Sequence, residues 1–172
     1  MTYAFRGQPA PHNMEDDMPA ITTANTASEM VRSATTTALR VAARELELYV
    51  AGDVAGADEV FAPDLIDHNP AFDAVSGVDG IRALIAATRD GFTNRQIRIL
   101  FQEELPGGWV VLQWQLTATH TGDAFGFAAS GNPVDFQGQN IVRIVDGKIS
   151  EMYHIEEMLK LTQQISTGTQ PA

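Results

Sequence analysis

The sequence predicts an α+β fold in which a curved antiparallel or mixed sheet wraps around N-terminal helices. Three observations predict it. Apolar residues recur with a helical period in the first half, at Leu39, Ala43, Leu46 and Val50, and again at Ile81, Leu84 and Ile85, with Thr88 on the same face. The period then changes to two, over 97–102 and over 109–121. Finally, two β-rich runs flank Asp146-Gly147, the strongest short signal for a hairpin. Helices followed by strands argue for α+β. A strongly bent sheet needs filling on its concave side, and the amphipathic helices supply that. The open end leaves a cavity, a default site for a small ligand.

Residues 1–27 mix Pro, Asn, Thr and Ala with the acidic run Glu15-Asp16-Asp17, and read as a tail or partner-dependent arm with His12 in solvent. The domain spans 28–166, and 167–172 form a second tail. A helix is expected from Ser28, its N-cap, to Ala51, with Gly52 just past its end. A short helix follows from about 54 to 61 and stops at Pro63. Residues 65–69 read as a strand ended by Pro70, which drives Asn69 towards an extended conformation. A helix over 78–91 is next, then a strand with Ile97, Ile99 and Phe101 on one face. After the turn Pro106-Gly107-Gly108 comes a long strand. Val110, Leu112, Trp114, Leu116, Ala118 and His120 share one face of it, and Gln113, Gln115, Thr117 and Thr119 the other. A connection bearing Phe125 and Phe127 leads to the hairpin, and a helix over 156–164 closes the chain.

Composition narrows the function. A net charge of −11 argues against nucleic acid or an anionic membrane as partner. The absence of cysteine excludes disulfides, thiolate metal sites and cysteine nucleophiles. No apolar run approaches the roughly 18 residues of a membrane helix, and no secretory signal is read at the N-terminus, so the expected compartment is the cytoplasm. The four histidines are too scattered for a metal site. There is no phosphate loop and no serine nucleophile elbow.

Thr119-His120-Thr121-Gly122, Phe125-Gly126-Phe127, Ser130-Gly131, Ile141-Val142-Arg143 and Asp146-Gly147-Lys148-Ile149-Ser150-Glu151 resemble the SnoaL-like polyketide cyclases, as does the ending Leu161-Thr162-Gln163-Gln164-Ile165. These belong to the nuclear transport factor 2-like superfamily. The resemblance covers about 38–165. It implies a cone-shaped α+β barrel, a dimer, and a deep hydrophobic pocket for a polyketide-type intermediate of secondary metabolism such as antibiotic biosynthesis. It also implies ring closure or isomerisation (isomerase or lyase chemistry) without a cofactor. The family carries an acid/base carboxylate on its last strand, in a motif like Glu-His-Trp-Asp. Here Glu151-Met152-Tyr153-His154 stands in its place, with His154 at the carboxylate position.

If Asp146-Gly147 is a two-residue loop, plain register pairs Ile141 with Met152, Gln139 with His154 and Gln137 with Glu156. The resemblance turns that face inward. His154 is then the expected acid/base, because an imidazole of ordinary pKa, about 6.5, transfers protons both ways near neutrality. Gln139 is its expected catalytic partner, as orienter or donor to an enolate oxygen. Expected substrate contacts are Gln137, Met152, Glu156, His68, Tyr49, Trp114 and His120. Two other readings keep the pocket: a cavity that only preorganises a polyene or epoxide for cyclisation, and a small-molecule binding protein. The uncharged face Gln113, Gln115, Thr117 and Thr119 is expected to pack against a second subunit.

Overall fold

The computed structural model describes residues 25–33, 36–71 and 77–166. Most of the expected N-terminal tail, the tail from 167, His12 and Phe72 lie outside the described residues. Residues 25–27 are more than tail. β1 (Asn25–Thr26) pairs with the sheet, and α1 (Ala27–Ser33) follows it directly. Thr26 and Glu29 cap α1 reciprocally. The Glu29 N–H donates to Thr26 Oγ1 and the Thr26 N–H to Glu29 Oε2, the Thr-x-x-Glu capping box.

The single helix expected over 28–51 is two helices. α2 (Thr37–Ala51) starts afresh at Thr36, whose hydroxyl accepts the Leu39 N–H at 3.2 Å. The run Ser33 to Thr37, rich in hydroxyls that compete for backbone bonds, explains the second start. Gly52 closes α2 with φ +68°, as expected.

The remaining elements are α3 (Ala57–Val60), β2 (Phe61–Asp67), α4 (Gly77–Gly91), β3 (Phe92–Leu105), β4 (Trp109–His120), β5 (Pro133–Val145), β6 (Lys148–Glu156) and α5 (Met158–Ser166). The sheet runs β1-β3-β4-β5-β6-β2, antiparallel except where β2 lies parallel to β6. β2 begins upstream of the expected strand because it is an edge, where Pro63 is tolerated, and its register shifts between Phe61 and Ile66. β3 is longer than its alternation indicates, because register shifts between Thr93 and Gln96 and between Ile99 and Phe101 break the period. The second shift sends Phe101 outward, while Ile97 and Ile99 stay buried. In β4 all six residues of the expected inner face are buried.

The concave face of the sheet closes over α2, α4 and α5 in two apolar clusters. One surrounds Leu46, Trp114 and Leu161, and the other surrounds Leu48, Ile85 and Met152. Arg95 ties the helix ends to this frame. Its guanidinium donates to the carbonyls of Tyr49 and Val50 at the end of α2 and to that of Arg89 at the end of α4. Among the described residues no helix is long and apolar enough to cross a membrane.

Candidate active site

The wall of the cavity is set by one bulge. Val145 pairs with Lys148 and Ile144 with Ile149, as a two-residue loop requires, and Asp146 and Gly147 take φ of +50° and +77°. Ser150 is then an extra residue. Arg143 pairs with Glu151, and the register has slipped by one. Such a slip exchanges the faces of one strand relative to the other. Asn140, not Gln139, stands opposite His154, and Gly138, not Gln137, stands opposite Glu156. Gln139 is exposed on the outer face beside Ile155, and Gln137 is bonded there to Gln113 at 3.0 Å. Neither meets the cavity.

The cavity has a volume of about 210 Å³. That exceeds the roughly 150 Å³ of an apolar cavity known to hold benzene, so it admits a ring-sized ligand. Five of the expected residues line it: His154, Met152, Glu156, Tyr49 and Trp114. Phe92, Phe125, Phe136, Leu116 and Leu161 make its apolar side. His68 is on the outer surface, stacked on Tyr153 with ring centroids 4.0 Å apart and bonded to Glu151 at 3.0 Å. His120 is fully buried beyond the wall. It packs on Phe92, and its Nδ1 accepts the Ser130 N–H at 3.3 Å.

His154 is not a free imidazole. It is 5% exposed and lies in a row between two carboxylates. Nδ1 is 2.8 Å from Glu156 Oε1, and Nε2 is 3.3 Å from Asp67 Oδ1, a charge contact without the alignment of a good hydrogen bond. Burial opposes the charged ring, but the close contacts and charges of Asp67 and Glu156 outweigh it and raise its pKa to about 10. His154 is therefore an imidazolium at neutral pH, and this corrects the expectation of an imidazole poised near 6.5. Asp67 is likewise buried against its charge, yet His154 and the Asn69 N–H hold its carboxyl below the usual range. Asn69 Oδ1 accepts the His154 N–H at 3.3 Å, which locks the edge strand's end to β6.

Sequence reasoning missed a further ionisable group of the site. Glu45 lies on α2, is 1% exposed and lines the cavity. Burial pushes its carboxyl up to about 8, against the opposing pull of His154 and of a 2.7 Å hydrogen bond from Asn140 Nδ2. Burial therefore favours its uncharged acid form, and its Oε2 has no protein partner. A signal was present: Glu45 shares the inward face of α2 with Ala42 and Tyr49, at the spacing of a core residue. Burial and the nearby carboxyl groups also push the Tyr49 hydroxyl well above its ordinary range. Among the described residues no set of three or more His, Asp or Glu side chains is arranged to hold a metal ion.

The site thus pairs an uncharged carboxylic acid, Glu45, with a proton acceptor. The acceptor is the row Asp67, His154 and Glu156, in which two carboxylates flank one imidazolium.

Comparison with known proteins gives a consistent picture. The family model of the SnoaL-like polyketide cyclases matches residues 39–165. No curated protein matches the chain. Among solved structures, TsrD from Streptomyces laurentii superposes with a TM-score of 0.67 at 22% identity, over 75% of this chain and 94% of that one. A candidate polyketide cyclase from Bacillus cereus does so at 0.67 and 22%, over 78% and 83%. IdmH from Streptomyces antibioticus, another candidate polyketide cyclase, gives 0.66 and 22%, over 76% and 99%. At such identities the likeness is one of fold.

Proposed function

The chain belongs to the SnoaL-like polyketide cyclase family, and from that premise we propose that it closes or isomerises a ring in a hydrophobic polyketide-type intermediate of secondary metabolism, in the cytoplasm, using only its own side chains as acid and base. The observation that carries this reading is the pairing, in one largely apolar cavity, of the uncharged acid Glu45 with the charged row Asp67–His154–Glu156.

Ring closure between a methylene flanked by two carbonyls and a second carbonyl needs one proton removed and one supplied. The methylene C–H bond breaks and its proton passes to the row, through Glu156 at the cavity wall. The electron pair left on carbon forms the new C–C bond. The π electrons of the attacked carbonyl move to its oxygen, which takes the proton from Glu45 Oε2. Exchange with solvent after release returns the two protons. Isomerisation uses the same pair, with reprotonation at a different carbon. Low dielectric inside the cavity strengthens both transfers.

The test is turnover of a 1,3-diketone substrate by Glu45→Gln, which keeps the shape and the bond from Asn140 but has no acidic proton. Loss of turnover is expected. Full turnover in both Glu45→Gln and Glu156→Gln would leave a cavity that only folds its substrate into shape, or a binding protein.

The family's dimer has support of its own. The outer face of the sheet presents Ile141, Ile155 and Phe101 to solvent, exposed by 41%, 70% and 53%, beside the uncharged Gln113 and Gln115. Exposed large apolar side chains set among uncharged glutamines on one sheet face suit an interface, and we assign it to a second copy. Ile155→Asp should turn a dimer into a monomer by light scattering; a wild type that is already monomeric at micromolar concentration refutes the assignment.

A further inference from the structure

Glu45 is held by a chain of side chains whose donor and acceptor roles leave no freedom. The Trp114 indole N–H can only donate. It lies 3.0 Å from Asn140 Oδ1, so the Asn140 amide cannot turn over without leaving that buried N–H unpaired. Its Nδ2 must therefore face Glu45, and it donates to Oε1 at 2.7 Å. Oε1 accepts that bond, and the carbonyl oxygen of an acid is a better acceptor than its hydroxyl, so an acid proton on Glu45 belongs on Oε2, the oxygen with no protein partner. Gly138 makes room for this arrangement. It pairs with Trp114 across the β4–β5 ladder, and a Cβ there would lie 2.2 Å from the indole ring.

We propose that Asn140 is the positioning residue of this site: latched by Trp114, it fixes Glu45 so that Oε2, and not Oε1, carries the acid proton. The proposal rests on the reading of Glu45 as the acid. It adds that the choice of oxygen is made by a residue which transfers no proton itself.

Infrared difference spectroscopy of the substrate-free full chain tests it. Subtracting Glu45→Gln from wild type isolates the carboxylic C=O stretch of Glu45 at neutral pH. In Asn140→Leu the Oε1 acceptor loses its donor. The stretch should move to higher frequency, and its titration midpoint should rise, because the lost bond favoured the carboxylate. Trp114→Phe, which frees the amide without deleting it, should split the band into two populations, and serves if Asn140→Leu does not fold. Exchange of the methylene protons of a cyclic 1,3-diketone into deuterated water provides the kinetic readout. Its kcat should fall at least tenfold in Asn140→Leu with KM little changed. An acid band missing from wild type, or unmoved in both variants, overturns the proposal. The two failures separate cleanly. Exchange that survives in Glu45→Gln removes the acid reading, whereas an unmoved band with exchange lost in Glu45→Gln removes only the role of Asn140.

Discussion

Asn140 on β5 and Glu45 on α2, 95 positions apart, are joined by a 2.7 Å hydrogen bond, and the same Asn140 stands opposite His154 in the β5–β6 ladder. One amide thus links the site's uncharged acid to the strand pair that carries its charged row.

Turnover should depend on a group that must be protonated. Glu45 is held near 8, so kcat should be level from neutrality up to that pH and fall about tenfold per unit above it. Glu45→Gln should lower kcat by about 10²- to 10⁴-fold at neutral pH, the usual contribution of a positioned acid. A pH–rate profile with a 1,3-diketone substrate decides this. A rate that climbs through pH 8 would instead make ionised Glu45 the base.

Stability should decline as pH rises. Glu45 moves from an ordinary 4.5 up to about 8 on folding, so between these values the folded chain holds a proton that the unfolded chain has lost. His154 moves from 6.5 up to about 10. Its stabilisation is complete below 6.5 and disappears as pH rises towards 10. Both slopes have the same sign, so the urea midpoint should fall across this whole range, and Glu45→Gln should flatten the part below about 8. An unchanged midpoint between pH 5 and 9 would contradict the assigned protonation states.

His154→Ala should cost more than activity. Asp67 and His154 side chains are each 4% exposed, and removing the ring leaves Asp67 buried without its cation. Loss of one member of a buried pair typically costs about 3–5 kcal/mol. Adding Asp67→Asn should recover much of this stability and none of the turnover. Equal unfolding midpoints for wild type and His154→Ala would show that the row is not coupled as described.

Gly138→Ala should disturb the acid from a distance. The new methyl group meets the Trp114 ring at once. Overpacking of this kind costs about 1–3 kcal/mol, and the displaced indole should loosen Asn140. The expected signs are altered tryptophan fluorescence together with a lower kcat. If fluorescence and rate both match wild type, Gly138 does not support the latch.

Much of this protein was determined by sequence alone, wherever the signal is local. The alternation along β4 named all six of its buried residues, Asp146-Gly147 named the turn, and Gly52 named the end of α2, because pleat, turn and cap depend on near neighbours. The β6 residues Met152, His154 and Glu156 were identified as cavity wall by alternation along that strand together with the family resemblance. Only tertiary structure decided what faces them. Ser150 is an ordinary strand residue in sequence, but as a bulge it exchanges Gln139 for Asn140 and Gln137 for Gly138, since a period of two has no tolerance for one extra residue. The protonation states were equally out of reach. Glu45 becomes a neutral acid because the fold removes it from water, and His154 becomes a cation because β2 runs parallel to β6 and brings Asp67 alongside it. Burial and distant charge set both, and neither is a property of any local stretch of chain.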